Sequence, residues 1–322
     1  MSSSFKNQTI KTIKRKKKKM KKTLLALLSA TLLLTTFSPA QAEDQRVLAI
    51  IDTAINSKNF PSVIYEACFT QSTTMACPNG KTYMEGKGSA SANWPISINN
   101  NIYHGDSMVK AALAVTPTLK IVFVRIADVN SFGGNVIRPE SLISAIKWVS
   151  DNADKYSIDA VSLSLSGTNQ DTCTNQTTVS SVASLGLKNI PTFAATGNEG
   201  SKTTVGFPAC VPGVIGVGAS TDQFDNGIRL GETATNRGPG LDIVAPGKID
   251  ITKYNGSPTT LSGSSGANVI SASRYINKNT YKTFAEYINA LPKESIKFVD
   301  SRDSKTGIIV WESTRIVSFS SN

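Results

Sequence analysis

Histidine is nearly absent from this sequence, because His104 is the only one in 322 residues. A single imidazole excludes any metal site built from several histidines. It also means that a general base of imidazole type working near neutral pH must be this residue. A lone histidine is more often structural than catalytic, so its meaning depends on the residues that accompany it.

Acidic residues are missing from the first 42 residues, which hold ten of the 34 lysines and arginines. The basic run Lys14–Lys22 leads into an apolar stretch, Leu24–Phe37, and then to the small residue Ala42. This order is typical of a secretory signal peptide over residues 1–42, and Met20 is a second candidate start. The apolar stretch is too short for an anchoring transmembrane helix. We therefore predict cleavage after Ala42.

The rest of the chain lacks any excess of charge, since it carries 24 bases against 23 acids. The basic pI of the whole chain thus comes from the predicted signal peptide, and we expect no nucleic-acid binding. No later apolar run reaches transmembrane length, so no membrane anchor is expected after signal removal. The sequence indicates an exported protein, periplasmic or extracellular, with one large domain.

Cysteine is scarce but even in number, in a chain predicted to reach an oxidising compartment. Disulfides persist there, so structural staples are favoured over metal or redox chemistry. Our interpretation pairs Cys68 with Cys77 across a short loop, and Cys173 with Cys210 across two distant loops. The pairing is an inference from position, and other pairings stay open at this point.

Short β-branched runs alternate with helical patterns along most of the chain, which predicts an α/β fold with a mostly parallel central sheet flanked by helices. One helix is indicated by Pro139 ahead of an apolar stripe at helical spacing, from Leu142 to Val149. The predicted strands are Val47–Ile51, Lys120–Val124, Ala160–Leu165, Thr192–Ala195, Val214–Val217 and Leu241–Val244.

Two stretches do not follow this alternation. Ser57–Tyr103 is rich in Gly, Asn, Ser and Thr and shows little periodicity, so we predict an elaborated surface connection there. After Asn277 we expect a helix near Phe284–Leu291 and a strand near Gly307–Trp311. We accordingly predict one domain over residues 43–285, with a C-terminal appendage of the same domain over 286–322.

Polar residues follow several predicted strands, at the positions where ligands gather in open α/β sheets. Asp52 ends one strand, and Asn198 follows another. His104 opens an apparent helix in Tyr-His-Gly-Asp-Ser, and Ser265 lies in a Gly-Ser-Ser-Gly segment before an apolar helical run. A helix N-terminus favours developing negative charge, and flanking glycines allow a close approach of substrate. Each residue alone has a structural explanation as a cap or loop residue.

Taken together, these segments resemble the subtilisin-like serine proteases, the subtilases, from about Val47 to Ser273. The chain order Asp, His, Ser also agrees with that family. The matching motifs are Ala-Ile-Ile-Asp-Thr-Ala-Ile at Asp52, His-Gly at His104, Ser-Leu-Ser-Leu-Ser-Gly at residues 162–167, Ala-Ala-Thr-Gly-Asn-Glu-Gly at Asn198, and Ser-Gly-Ser-Ser-Gly-Ala at Ser265.

The resemblance implies a three-layer subtilisin-like fold and a secreted serine endopeptidase. It makes Ser265 the nucleophile, His104 the general base and Asp52 the residue that orients the imidazole. Asn198 would supply an oxyanion-hole donor. Backbone groups of three residues would pair with the substrate as an added strand: Ser164, Leu165 and Ser166.

The same resemblance sets expectations for partners and ions. A polypeptide substrate and a monomeric enzyme are expected, with no metal in the chemistry. Calcium is expected at most as a structural ion, and the acids and amides near Asp222–Asn226 are the only candidate we identify. Nine residues separate the predicted cleavage site from Asp52. This leaves no room for the inhibitory prodomain common in the family, so the chain is expected to fold unaided or with a helper or inhibitor in trans.

Two motifs depart from the family. After His104 the chain continues Gly-Asp-Ser-Met-Val, where the family has Gly, Thr, a second His and Val-Ala-Gly. We expect the carboxylate of Asp106 either to raise the imidazole pKa or to face solvent. After Ser265 stand Gly266, Ala267, Asn268 and Val269 in place of Met-Ala-x-Pro, and loss of that proline is expected to affect how the helix begins.

Three other functions were weighed against a protease. A catalytically inactive, secreted subtilase-like binding protein is the main alternative, because of the altered histidine motif and the missing prodomain. An α/β-hydrolase esterase needs a histidine after its nucleophile, and none follows Ser265. A purely structural secreted domain leaves the grouping of the motifs unexplained.

Overall fold

A mostly parallel sheet organises the protein. The computed structural model describes residues 46–72, 76–91, 104–129, 135–225, 228–231, 234–252, 257–277, 286–287, 298–299 and 315–316. Within these ranges the sheet has eleven strands: β1 (Val47–Asp52), β2 (Val63–Phe69), β3 (Tyr83–Glu85), β4 (Lys120–Arg125), β7 (Ile158–Leu163), β8 (Thr192–Ala195), β9 (Val214–Asp225), β10 (Ile228–Gly231), β11 (Ile243–Pro246), β14 (Phe298–Val299) and β15 (Arg315–Ile316). Their order in the sheet is β14-β10-β9-β8-β7-β1-β4-β2-β3, with β11 beside β9 and β15 beside β11.

Two antiparallel hairpins and four α-helices accompany the sheet in the described part of the chain. Two short 3₁₀ turns cover Ser57–Asn59 and Gln170–Thr174. The hairpins are β5 (Ala127–Val129) with β6 (Asn135–Ile137), and β12 (Ile249–Thr252) with β13 (Pro258–Leu261). The helices are α1 (His104–Val115), α2 (Pro139–Asn152), α3 (Gln176–Leu187) and α4 (Ser264–Asn277).

Helices cover both faces of the sheet, as the alternation of β1 shows. Val47, Ala49 and Ile51 pack in one buried cluster with apolar residues of α2 and α3. Leu48 and Ile50 pack in a second cluster with residues of α1 and α4. Side chains of a strand alternate between the two faces of a sheet, so the two clusters lie on opposite sides. The predicted three-layer α/β fold is therefore confirmed.

Strand pairing in the centre of the sheet is parallel. β1 pairs with β4 on one side and with β7 on the other, and β8 pairs with β7 and β9. The residues of β1 are all buried, as expected of a strand covered on both faces, which also explains its continuous apolar sequence. Because the strands run in the same direction, their carboxyl ends meet at one edge of the sheet.

Helices α1 and α4 also run in the same direction. The Thr116 hydroxyl, just past the end of α1, donates to the Ser273 carbonyl oxygen in the last turn but one of α4, at 3.0 Å. The apolar faces of the two helices share one buried cluster. Both helices therefore begin at the same end, and their first residues include His104 and Ser265.

Most of the predicted elements are confirmed, with shifted ends. β8 has the predicted bounds, and α2 buries Leu142, Ile146 and Val149 as the apolar stripe predicts. β7 ends at Leu163 rather than at Leu165. Directly after this end, the hydroxyl and the carbonyl oxygen of Ser164 bond to Ser265.

The prediction of a surface connection over Ser57–Tyr103 is wrong for part of that range. β2 lies within the main sheet beside β4, and β3 pairs with its outer edge. Glu66 in the middle of β2 hid the strand in the sequence, because a carboxylate is rare in a buried strand. Its side chain is only 3% exposed and accepts hydrogen bonds from Gly88 N–H at 2.8 Å and Ala90 N–H at 3.0 Å. The segment that follows β2 is thus folded back onto a buried carboxylate.

Both inferred disulfides are confirmed. Cys68 is bonded to Cys77 with a Cα–Cα distance of 5.9 Å, which pins the start of the connection after β2. Cys173 is bonded to Cys210 with a Cα–Cα distance of 5.4 Å, which joins the turn before α3 to the segment before β9.

The predicted signal peptide at 1–42 lies outside the described residues, as does the predicted strand near Gly307–Trp311. In the C-terminal region, β14 pairs with β10, and β15 pairs with β11. The ring of Tyr287 packs edge-on against Tyr275 of α4, with ring centroids 5.2 Å apart. None of the helices in the described ranges combines the length and the apolar character needed to cross a bilayer.

We predict that Glu66→Ala lowers the free energy of unfolding by about 3 kcal/mol, because it leaves the N–H groups of Gly88 and Ala90 without an acceptor in a buried place. Urea unfolding followed by circular dichroism measures this change. Lys87→Ala, an exposed residue of the same loop, is the matched control and changes stability by less than about 0.5 kcal/mol. Equal stability of the two variants would contradict the role of Glu66.

Candidate active site

Asp52 and His104 form the centre of the site. Asp52 is the last residue of β1 and is fully buried. Its Oδ1 lies 2.8 Å from His104 Nδ1 and accepts the Thr53 N–H at 2.7 Å, while Oδ2 lies 3.1 Å from the same ring nitrogen. A buried carboxylate needs hydrogen-bond partners, and here these bonds supply them. The imidazole is thus held with Nδ1 toward the carboxylate and Nε2 toward the other side.

The N-terminus of α1 is fixed by the loop that follows β1. Gly105 N–H donates to the Thr53 hydroxyl at 3.0 Å, directly beside the Asp52–His104 pair. The His104 side chain is 27% exposed, so the imidazole borders the surface while its partner is buried. Burial lowers the pKa of the imidazole, but the charge of Asp52 and the hydrogen bond to it raise that pKa by more. The pKa of His104 is therefore raised above its ordinary value, and the protonated imidazole is favoured.

Asp106 fulfils neither of the two expectations for it. Its side chain is buried, with 2% exposure, so it does not face solvent. The rise in the pKa of His104 comes from Asp52. Asp106 Oδ1 accepts the Asn56 N–H at 2.8 Å, and Oδ2 is buried without a hydrogen-bond partner. Burial raises the pKa of Asp106 to about 6, against the smaller lowering effects of the Asn56 bond and of Lys110.

Ser265 lies in the first turn of α4 and is tied to the end of β7. Its hydroxyl donates to the Ser164 carbonyl oxygen at 2.8 Å, and the Ser164 hydroxyl donates to the Ser265 carbonyl oxygen at 3.0 Å. The Ser265 proton therefore points to Ser164 in this arrangement. A serine hydroxyl rotates freely about its Cβ–Oγ bond, so the same oxygen can turn its proton toward a base.

Asn198 stands beside the nucleophile candidate, on the loop after β8. Its Oδ1 accepts the Ser264 N–H at 2.9 Å, which leaves the Nδ2 group as the outward donor of the amide. Gly263 makes this contact feasible: its φ is +103°, and an added Cβ would lie 2.9 Å from Asn198 Oδ1. The structure thus brings Asn198 and Ser265 together through the residue between them.

The three residues predicted to bind substrate, Ser164, Leu165 and Ser166, follow directly after β7. The Leu165 side chain is buried in the core cluster with α2 and α3. Ser164 contacts Ser265 as described. The Ser166 hydroxyl donates to the Thr196 carbonyl oxygen at 3.4 Å, which links this segment to the loop that carries Asn198.

Two residues of the site were missed in the sequence. Asn268, one turn after Ser265, is fully buried and donates to the hydroxyls of Ser162 at 3.0 Å and Ser164 at 3.2 Å. Asn236 accepts the N–H groups of Glu199 and Ser201 and so holds the loop after β8. Asn268 could have been suspected, since an amide inside an apolar helical run needs partners. Asn236 carries no comparable signal, because it lies in an irregular segment.

Metal ligands are not grouped in this site. Among the residues that the structure describes, no cluster of three or more His, Cys, Asp or Glu side chains could hold a metal ion. Asp222 and Asp225, from the calcium candidate, lie in β9, while Asn226 lies outside the described residues. The expectation of a structural calcium ion therefore stays a prediction.

A family model described as the subtilase family matches residues 44–285. Subtilisin amylosacchariticus from Bacillus subtilis subsp. amylosacchariticus is 29% identical over 225 residues, which are 68% of this chain and 51% of that protein. Subtilisin from Bacillus pumilus is also 29% identical over 225 residues, 68% of this chain and 71% of that protein. The chain thus spans about half the length of several curated relatives that it matches.

The fold is similar to solved structures as well. The structure titled S41 psychrophilic protease superposes with a TM-score of 0.59 at 18% identity, over 77% of this chain and 82% of that chain. At this identity the likeness speaks for the fold alone, and it agrees with the parallel sheet and the two helix layers described above.

We predict that Asp106→Asn makes the protein more stable above pH 6, on the order of 2 kcal/mol, and not below about pH 4. The folded state holds the Asp106 proton up to about pH 6, whereas the unfolded state releases it near pH 4. Stability of the parent chain therefore falls as pH rises through this window, and the amide removes that loss.

Urea unfolding at pH 4, 5, 6 and 7.5 measures the difference between variant and parent. Asp171→Asn, which changes an exposed carboxylate, is the control and alters stability little at any pH. A difference for Asp106→Asn that does not vary with pH would contradict the assignment.

Proposed function

The chain belongs to the subtilase family, and from this premise we propose that it is an exported serine endopeptidase acting through Asp52, His104 and Ser265. The observation that carries the proposal is the buried Asp52 carboxylate, 2.8 Å from His104 Nδ1. It lies at the edge of the sheet where α4 begins with the nucleophile candidate. In that arrangement the carboxylate supports an imidazolium, which acyl transfer by a serine requires.

The first step forms an acyl-enzyme. The Ser265 hydroxyl turns from Ser164 toward His104 and attacks the carbonyl carbon of a peptide bond. His104 Nε2 takes the hydroxyl proton, and Asp52 stabilises the resulting imidazolium. The tetrahedral intermediate then collapses as the C–N bond breaks, and the same proton passes to the leaving amine.

The second step repeats the sequence with water. His104 removes a proton from a water molecule, and the oxygen attacks the acyl carbon on Ser265. The ester bond breaks, the proton returns to the serine oxygen, and a carboxylic acid product leaves. Each proton that His104 accepts is returned, so the enzyme ends the cycle in its starting state.

Negative charge on the substrate oxygen needs preorganised donors. We assign this role to Asn198 Nδ2 and to the Ser265 N–H at the start of α4. The Asn198 amide is oriented for it, because its Oδ1 is already occupied by the Ser264 N–H. Since Ser264 adjoins the nucleophile, the amide is positioned by the same turn that presents Ser265. Donors fixed before the reaction lower the barrier without reorganising during it.

The substrate in this proposal is a polypeptide in extended form. Its backbone would run beside Ser164, Leu165 and Ser166 as an added strand. This mode of binding obtains affinity from main-chain hydrogen bonds, and side-chain preference comes from the pockets between them.

The proposal also includes export and maturation. Residues 1–42 would act as a signal peptide, leaving a catalytic domain over residues 43–285 with a C-terminal part, 286–322, and a monomer that works in the periplasm or outside the cell. A folding helper or inhibitor acting in trans is part of the proposal. A secreted binding protein that no longer cuts is the alternative, and the first test below separates the two.

We predict that Ser265→Ala abolishes casein hydrolysis and that Asn198→Ala lowers kcat about 10²–10³-fold with little change in KM. This magnitude is the one measured on removal of the oxyanion-hole asparagine of a subtilisin. Ser262→Ala, three residues before the nucleophile candidate, is the matched control and retains activity. A folded parent protein with no hydrolysis would favour the binding protein, and full activity of Ser265→Ala would refute the assignment of the nucleophile.

The raised pKa of His104 gives a pH prediction. Burial lowers that pKa, but the charge and hydrogen bond of Asp52 outweigh it, so kcat/KM should fall on the acid side with a midpoint above 6.5. Asp52→Asn removes the charge, which moves the midpoint to lower pH and lowers kcat about 10⁴-fold.

Initial rates on a chromogenic peptide anilide between pH 5 and 9 measure both effects. Asp151→Asn changes an exposed carboxylate of α2 and leaves the profile unchanged. An acid limb that stays in place in Asp52→Asn would show that Asp52 does not set the pKa of the general base.

A further inference from the structure

Three chain segments are held together beside the nucleophile candidate and leave between them the space that the Ser166 side chain enters. They are residues 164–167 after β7, 196–198 after β8, and 206–207. The Thr196 carbonyl oxygen accepts the Gly206 N–H at 2.9 Å and the Ser166 hydroxyl at 3.4 Å. Gly167 and Phe207 exchange two backbone hydrogen bonds of 2.8 Å each. The walls of this space, which we call the acyl-side gap, are therefore fixed by hydrogen bonds between backbone segments.

The side chain of Ser166 occupies the acyl-side gap. A Cβ added to Gly197 would lie 2.7 Å from Ser166 Oγ, and a Cβ added to Gly206 would collide with the same hydroxyl. Two facing segments thus carry glycine where Ser166 projects between them. The space between Gly197 and Gly206 fits one small side chain, and the Ser166 side chain already fills it.

The substrate residue before the scissile bond must use the same space, if the proposed function holds. Its carbonyl carbon would lie at Ser265 Oγ and its oxygen at Asn198 Nδ2, with its backbone beside residues 164–166. Ser265 contacts Ser164, and Asn198 contacts Ser264. The side chain of that substrate residue therefore points between the loops after β7 and β8, into the acyl-side gap.

The apolar side chains of the walls do not line the gap. Leu165 and Phe207 both belong to the core cluster with α2 and α3, so their apolar surface is used inside the protein. Besides Ser166, two polar groups lie against Gly197: an added Cβ there would be 2.4 Å from Asn236 Nδ2 and 2.5 Å from Glu199 Oε2. The amide of Asn236 donates to that carboxylate oxygen at 2.5 Å. A large apolar side chain would thus meet the Ser166 hydroxyl and the polar groups at Gly197.

We propose that Ser166 restricts this enzyme to substrates with a small uncharged residue, Gly, Ala or Ser, on the acyl side of the cut. The inference rests on the proposed function and adds a substrate class to it. Opening the gap by removing the Ser166 side chain relaxes the restriction, whereas a larger side chain tightens it.

The test compares four chromogenic peptide anilides that differ only in the acyl-side residue: Ala, Leu, Phe or Lys. The parent enzyme is expected to have its highest kcat/KM on Ala. Ser166→Gly raises the ratio of kcat/KM for Phe over Ala by on the order of tenfold or more, because pocket volume decides such ratios. Ser166→Thr lowers the ratio for Leu over Ala. Ser166→Ala keeps the Cβ and loses the hydroxyl, so it shifts the ratio less than Ser166→Gly.

Active sites are counted in every variant by labelling with a small fluorophosphonate, which separates the two proposals. A parent enzyme that prefers Leu or Phe, or unchanged ratios in a fully labelled Ser166→Gly, would overturn the inference and leave the protease function standing. A preference for Lys would also overturn it and would assign the selectivity to Glu199. A folded parent protein that neither labels nor cleaves would overturn both.

Discussion

The parallel hydrogen bonds that join β7 to β1 and to β8 hold Asp52, Ser164 and Asn198 at one edge of the sheet. Helices α1 and α4 pack in the same direction on one face, so they begin at that edge with His104 and Ser265. No single segment of the chain contains the site. A shift of β7 by one residue would turn its side chains to the opposite face and remove Ser164 from α4. The register of the central strands is therefore the condition for the chemistry that we propose.

The site contains several buried polar groups, and substitution of any one of them would leave hydrogen-bond partners unsatisfied. Asp52 is fully buried and relies on Thr53 and His104 for its hydrogen bonds, whereas Asp106 nearby keeps one carboxylate oxygen without a partner. A protein gains no stability from the second arrangement at neutral pH, since burial disfavours the charged form. The apolar clusters on both faces of the sheet offset this cost of burial.

The sequence predicted an element correctly where the local residue pattern of that element matches its burial in the folded protein. β8 and α2 were predicted because a run of apolar or β-branched residues ends in small or polar ones, and these elements are buried as the pattern implies. β2 was not predicted, because the need of Glu66 for partners is met only by the distant N–H groups of Gly88 and Ala90. The same limit applies to Asp106, since nothing in its neighbourhood along the chain shows that Asn56 is its partner. The residue type shows that a buried carboxylate needs hydrogen-bond donors, but only the folded chain shows which N–H groups these are.

The most direct test of the account is to find which residue becomes covalently modified. We would treat the mature chain with diisopropyl fluorophosphate and map the adduct by mass spectrometry of its peptides, with Ser264 and Ser262 in the same fragment as internal controls. The account predicts one adduct, on Ser265, which is absent when the protein is unfolded in urea before treatment. An adduct on another serine, or equal labelling of folded and unfolded chains, would contradict the claim that this fold activates Ser265.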